Sequence, residues 1–464
     1  MTDATDRTAD APRRRFRAYR EYKKSGVEWL GEIPAHWDIA PVYARYEVAL
    51  GKMLDAKRVT GESSGKYLRN IDVQWNAINV ANLPEMDFPP SERNRYLLRP
   101  GDLLVCEGGE VGRTALWDGE LDECFYQKAI HRVRPSADSE NPRFFYFLMY
   151  ALAKRGVFAA GGNPNTIDHR TAVSLRHYRL PFPPASEQRA IANHLDRETA
   201  KIDALVARKE RLIGLLQEKS TALITRAVTR GLDPNVPMKD SGVEWLGKIP
   251  AHWKLKRLRH IVHHIEQGWS PDCENREATA DEWGVLKAGC VNRGTFLESE
   301  HKALPSTLSP IPALEIKKGD LLMSRASGSR DLVGSVAVVP ECRPQLLLCD
   351  KVFRLHTHSS AGHREFVGYA MNSRAVRWQI ESVISGGSGL ASNISQEAVK
   401  DLVLAQPPPT EEQEIAGSID GETTRIDALI AKVRQAIGHL NELRSGLVSA
   451  AVTGKIDVRE AVPR

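Results

Sequence analysis

The 464-residue sequence holds six cysteines (Cys106, Cys124, Cys273, Cys290, Cys342 and Cys349), and no two of them form a CxxC pair. No zinc-type spacing joins them to the fourteen histidines. A zinc ribbon and a disulfide scaffold are therefore excluded, and a reducing cytoplasm is the compartment that fits. Long apolar runs are also missing. Nothing approaches the roughly 18 residues that cross a bilayer, so no membrane partner is expected. The opening "MTDATDRTADAPRRRFRAYREYKK" lacks the apolar stretch of a signal peptide and reads as a disordered, basic tail over residues 1–24.

Catalytic signatures are absent as well. There is no GxxxxGK[ST] loop to cradle a nucleotide, so ATP-driven movement is not written here. "GGSGLAS" (386–392) fails GxGxxG at its last position, where Ser392 stands. An adenine methyltransferase would show Asn-Pro-Pro-aromatic, whereas "FPP" and "PPP" lack both the asparagine and the trailing aromatic. Nuclease-like groupings such as Glu315–Lys317 arise by chance in a chain that is 27% charged.

What is present is repetition, which decides architecture before any local reading. "SGVEWLGEIPAHW" (25–37) returns as "SGVEWLGKIPAHW" (241–253), with Glu32 exchanged for Lys248. A second pair, "IANHLDRETAKIDALVARKERLIGLLQEKSTALITRAVT" (191–229) and "IAGSIDGETTRIDALIAKVRQAIGHLNELRSGLVSAAVT" (415–453), aligns without a gap and shares 18 of 39 positions. Both of these follow proline-rich leads and carry acidic residues in the first turn, so each predicts a long helix. One heptad column runs Leu195, Ile202, Lys209, Leu216, Leu223 in the first and Ile419, Ile426, Val433, Leu440, Leu447 in the second. The seam continues through Leu205 and Leu212, and through Leu429, Ala436 and Leu443. That is coiled-coil spacing. About 40 residues make a rod of roughly 60 Å, too long to bury its stripe in one domain, so the two helices are expected to pair with each other, antiparallel, about a pseudo-twofold axis.

The order is then box, domain, helix, twice over. A length of 464 residues fits roughly three domains of about 100 to 200 residues each. The expected division is a tail (1–24), a first mixed domain (25–184), a first helix (185–230), a linker with the repeated box and second domain (231–407), a second helix (408–457) and a tail (458–464). The class is α+β. Both domains carry Gly-Asp-Leu-Leu (101–104 and 319–322), a tight turn feeding an apolar strand, and both later offer a glycine-led loop, "GGNPNTIDHR" (161–170) against "GGSGLASNIS" (386–395). The punctuation matches while the lettering differs, which predicts one fold with two different sets of surface loops. Trp29, Trp37, Trp245 and Trp253 of the boxes, with His36 and His252, are read as scaffold packing, because equal aromatics in both halves are a poor way to read different sequences.

Over nearly its whole length the sequence resembles the specificity subunits of type I restriction-modification systems. The resemblance rests on "DSGVEWLGKIPAHW", Gly-Asp-Leu-Leu, the leads "PPASEQRAIANHLD" and "PPTEEQEIAGSID", and the helix ends "LITRAVTRGLD" and "LVSAAVTGKID". It implies two target recognition domains, each reading one half of a split, asymmetric sequence in double-stranded DNA. It also implies that the helices set the spacer and dock two methyltransferase subunits, which bring in nuclease-translocase subunits. It implies no catalysis by this chain; S-adenosylmethionine, ATP and magnesium belong on the partners.

The balance of 64 Lys and Arg against 59 Asp and Glu permits nucleic acid without demanding it. A half-site reader must bring Arg, Lys, Asn, Gln and Ser on loops to base edges and phosphates. The candidates in the first domain are Lys66, Tyr67, Arg69 and Asn70 in "SGKYLRN", Arg113 after "GGEVG", and Asn163, Asn165, Thr166, His169 and Arg170 in the glycine-led loop. In the second they are Lys287, Asn292 and Arg293, then Arg325, Ser327, Ser329 and Arg330 in "SRASGSRD", then Ser388, Ser392 and Asn393. Two other classes stand beside this reading: a coiled-coil assembly protein that binds no DNA, and a DNA methyltransferase or nuclease in its own right.

Overall fold

A computed structural model describes residues 17–53, 60–158, 172–292, 294–358, 363–385 and 392–459. The chain divides into two compact units, Met1–Lys209 with Gln435–Arg464, and Glu210–Arg434. The two long helices, Ala185–Arg230 and Pro409–Val452, each contribute one half to either unit.

The first unit is built on a four-stranded antiparallel sheet in the order Thr114–Leu116, Leu103–Cys106, Ile130–Pro135, Tyr46–Leu50. A three-stranded sheet, Phe125–Tyr126, Ser64–Leu68, Glu85–Asp87, lies in the same unit, with its first pair parallel and its second antiparallel. Helix Pro142–Lys154 starts on a proline at its first position, with the Asn141 side chain accepting the Phe144 N–H. Its run from Phe144 to Leu152 is buried throughout, as a helix apolar all round must be.

The second unit repeats each of these pairings. Its four-stranded sheet runs Val336–Val338, Leu321–Ser324, Val352–Thr357, Val262–Gln267, and its three-stranded sheet Leu346–Leu347, Gly284–Leu286, His301–Ala303. The short ribbons correspond too: Asp38–Pro41 with Arg179–Phe182 in one, Lys254–Arg257 with Val403–Gln406 in the other. One pairing of the second unit, Ala326–Ser327 with Ser392–Asn393, has no counterpart among the described residues of the first.

The Gly-Asp-Leu-Leu turns do more than reverse the chain. Gly101 and Gly319 hold φ of 92° and 84°, where a side chain is strained. The aspartates that follow accept the N–H groups of Arg99 and Lys317 (2.7 and 2.9 Å). They also bind an arginine of the adjacent strand: Asp102 takes Arg134 at 2.6 and 2.7 Å, and Asp320 takes Arg354 at 2.9 Å.

Each box locks onto a helix start. In the first unit Trp37 is fully buried and donates its indole N–H to Glu187 (3.0 Å), while His36 Nε2 lies 2.8 Å from the other carboxylate oxygen. In the second unit Trp253 and His252 hold Glu411 in the same way, at 3.1 and 2.7 Å. The first box also packs against the end of the second helix, so close that a Cβ at Gly454 would sit 2.2 Å from Pro34. Trp29 and Trp245 face protein as well: Arg155 lies over the Trp29 ring at 5.7 Å, and Trp245 stacks on Trp378.

Within each unit the helices run antiparallel. Ile191, Ala192 and Leu195 share the first unit's core with Val448, Ala451 and Val452, and Leu223, Ala227 and Val228 pack in the second unit's core with Ile415, Ala416 and Ile419. Of the heptad positions, Leu195, Ile202, Ile419 and Ile426 are buried, and Leu216, Leu223, Val433, Leu440 and Leu447 half-buried. Leu205, Leu212, Leu429 and Leu443 correct the expectation: they are 45%, 42%, 49% and 59% exposed. A pair of helices covers only a narrow strip of each, and these positions fall outside it.

The expected tails need the same correction at their inner ends. Tyr19 is buried in the first core, Tyr22–Lys24 pairs with Glu32–Pro34, and Val458 is 5% exposed. Arg17 forms a β-bridge to Asp457, so both flanks help to close the first unit.

Candidate nucleic-acid interface

In the first unit, strand Ser64–Leu68 runs into a 3-10 turn, Asn70–Asp72. Strand alternation decides which of the candidates face outward. Lys66 is exposed, whereas Tyr67 is 4% exposed and packs with Met86, Phe88 and Phe125. Tyr67 is therefore a core residue and offers no ring to a duplex; the alternation of Gly65 and Tyr67 with Ser64 and Lys66 was the signal that sequence reading passed over. Arg69 folds back, its Nε and Nη2 donating to buried Asp72 at 2.9 and 2.8 Å. Asn70 donates to the Gly108 carbonyl at 2.8 Å, and Arg113 donates to the Asn70 carbonyl at 2.9 Å. Thus "SGKYLRN" and the loop after "GGEVG", some forty residues apart, form one surface. Asn163, Asn165, Thr166, His169 and Arg170 lie outside the described residues.

The second unit assembles a corresponding surface. The pairing of Ala326–Ser327 with Ser392–Asn393 puts Ser327 opposite Ser392 and Ala326 opposite Asn393. Arg325 accepts the Ile394 N–H on its carbonyl (3.0 Å), donates to the Asp350 carbonyl (3.1 Å) and lies over Phe353 at 5.8 Å. The two stretches singled out in the sequence, "SRASGSRD" and "SNIS", are thereby joined. Ser329 and Arg330 are exposed; the Arg330 guanidinium donates to the Glu381 carbonyl at 2.9 Å. Lys287 is ion-paired to Glu300 at 3.2 Å, and Asn292 is half-buried opposite Thr295. Arg293 and Ser388 lie outside the described residues.

Two lysines escaped sequence reading. Lys302 and Lys351 line, with Lys287, a cleft of about 250 Å³ that Asp272 and Asp350 also border. They come from three separate segments, and no local signal links them.

Among the described residues, the cysteines Cys106 and Cys349 are not poised as nucleophiles. Burial pushes the Cys106 and Cys349 thiols up to about 11 each. The arrangement can donate hydrogen bonds and present positive charge. Among the described residues no three His, Cys, Asp or Glu side chains are gathered to hold a metal ion, and no helix is long and apolar enough to cross a membrane.

Residues 54–213 match the family model described as the type I restriction modification DNA specificity domain. The type I restriction enzyme EcoKI specificity subunit of Escherichia coli K12 is 24% identical over 445 residues, covering 92% of this chain and 90% of the relative. The EcoEI specificity subunit of Escherichia coli is 27% identical over 242 residues, which span 52% of this chain and 40% of that protein. A solved chain, from work on complex assembly and conformational transition of the type I R-M system, superposes with a TM-score of 0.65 over 93% of this chain and 99% of its own, at 15% identity, a likeness of fold. Residues 54–213 thus carry a type I restriction-modification DNA specificity domain. Over most of its length the chain is similar to the specificity subunits of type I systems.

Proposed function

We propose that this chain is the non-catalytic reader of a bipartite, asymmetric DNA sequence, each unit contacting one half-site and the long helices setting the gap between them. The observation that carries this reading is that corresponding four- and three-stranded sheets hold two chemically different loop sets: Lys66, Asn70 and Arg113 in one unit, Arg325, Ser327 and Asn393 in the other. One fold with two faces suits two unlike half-sites. The helices dock two methyltransferase subunits, and nuclease-translocase subunits join through these. Exposed Leu205, Leu212 and Leu215 on the first helix, and Leu429 and Leu443 on the second, support such helical partners. S-adenosylmethionine, ATP and magnesium would reside on those partners, and the location would be cytoplasmic.

Fluorescence anisotropy with duplex DNA at two salt concentrations tests the reading. A protein touching about 6 to 10 phosphates loses roughly 10³ to 10⁵ in affinity between about 50 and 200 mM salt. Absence of binding at low salt would remove the proposal. Methyl transfer by the isolated chain from labelled S-adenosylmethionine would replace it with an enzyme.

A further inference from the structure

The second unit carries a histidine cluster that none of the foregoing uses. Its edge strand Val262–Gln267 pairs with Val352–Thr357, and the register slips between Val262 and His264, a bulge centred on His263. A bulge re-aims the side chains beside it. His264 lies directly opposite His356, and His358 follows two positions on, at the spacing that returns to the same face of an extended strand. The rings converge: His263 is 5.0 Å from His358 and 6.0 Å from His356, and His264 is 5.5 Å from His356, centroid to centroid. His263, His264 and His358 are exposed, and His356 is half-buried. The fold does not require them. The matching strands of the first unit pair Tyr46 with Pro135 and Glu47 with Arg134.

With metal–nitrogen bonds of about 2.0 to 2.1 Å, two imidazoles on one tetrahedral ion have ring centroids about 5 Å apart. His263 and His358 already stand at that separation. His356 Nε2 is 3.1 Å from Glu266 Oε2, which leaves its other nitrogen available. A carboxylate on the far nitrogen is the usual device for orienting a metal-binding histidine. Glu266 is itself fixed by Arg354 at 2.8 Å, and the His358 backbone by the Ile261 carbonyl at 2.9 Å.

We propose that this strand pair binds one divalent transition-metal ion of imidazole preference, with His263 and His358 as first ligands, His356 joining by rotation of its ring, and water filling the shell. Since no three donors are yet gathered, the two-imidazole pair initiates capture. Imidazole selects zinc, copper or nickel over magnesium or calcium.

The test is calorimetric titration of the untagged full chain with Zn²⁺, repeated with Mg²⁺. The expected result is one Zn²⁺ per chain, no Mg²⁺ uptake, and at least about tenfold weaker binding in H263A/H358A; E266Q should weaken it about tenfold by loosening His356. H439A, changing an exposed histidine on the second helix, should bind as the parent does. Coincident denaturation curves would show that the exposed substitutions leave the fold intact. No saturable Zn²⁺ uptake by the parent, or equal uptake by H263A/H358A, would overturn the proposal. DNA affinity plays no part in the readout, so the outcome is independent of the reading of DNA.

Discussion

Glu187 shows how much one side chain can organise. Its 3%-exposed carboxylate accepts from Trp37, meets His36, and is reached by the Tyr19 hydroxyl at 2.5 Å. Burial first, and the Glu187 carboxylate after it, hold that hydroxyl well above the usual tyrosine range. Glu187→Ala leaves a buried indole N–H without its acceptor, a loss of about 1 to 3 kcal/mol. Its twin Glu411 is more open, with a side chain 26% exposed, so Glu411→Ala should cost less. Urea denaturation of both variants would show the order; a reversed order would mean that burial is not what sets the strength of the clamp.

Glu282 gives a pH dependence at the same scale. The Arg276 guanidinium, at 2.7 and 2.8 Å, and then the Thr279 N–H pull its carboxyl down to about 2. The folded value lies below the unfolded one of about 4.3, so its contribution is fully present above that pH and fades as pH falls toward 2. The stability gap between the parent and Glu282→Gln should be constant near neutrality and close in acid. Denaturant midpoints measured from about pH 6 down to pH 2 would reveal it, and a gap unchanged in acid would contradict the assignment.

At the scale of elements, the long helices make the sharpest prediction. Deleting one heptad from each shortens a helix by about 10 Å, the rise of about three base pairs. Methylome sequencing should then report both half-sites intact with a gap shorter by about three; an unchanged gap would detach spacer from helix. Close approach sets a second element-scale limit. A Cβ at Gly51 or Gly268 would lie 2.2 or 2.0 Å from the carbonyl oxygen of Gln127 or Leu348, so Gly51→Ala should unfold the first unit or force its strands apart, as thermal denaturation would show.

Elements were also where the sequence could be read best. The long helices announced themselves by heptads and proline leads, and the Gly-Asp-Leu-Leu turns by composition. Leu205, Leu212 and Leu429 defeated the same heptad logic, because periodicity marks an apolar stripe but not which part of it a partner within the chain covers. The surface was legible only in part. "SGKYLRN" and the loop at Arg113 were each recognisable, but their joining through Asn70 depends on hydrogen bonds between distant segments. Tyr67 faces inward by strand alternation, and Lys302 and Lys351 are brought together with Lys287 only by the folding of separate segments. The histidine cluster is similar: His263, His264, His356 and His358 meet only because of a bulged register.

For the whole molecule, the proposed function makes recognition modular, one unit to each half-site. Replacing residues 256–405 exchanges most of the second unit's globular part while leaving its box and helices. The altered chain should methylate a target changed in one half only, read by sequencing methylated adenines in cells. A change in both halves would mean that the units do not read separately.

The two units also differ in how their pieces are spread along the chain. The second is one unbroken stretch, Glu210–Arg434, while the first needs Gln435 onward as well as its own beginning. During synthesis, therefore, the half begun first must wait. Its core stays short of Val448, Ala451, Val452 and Val458 until the last of these has left the ribosome. A premature stop near residue 434 would strip the earlier half of its closing segment and spare every residue of the later one.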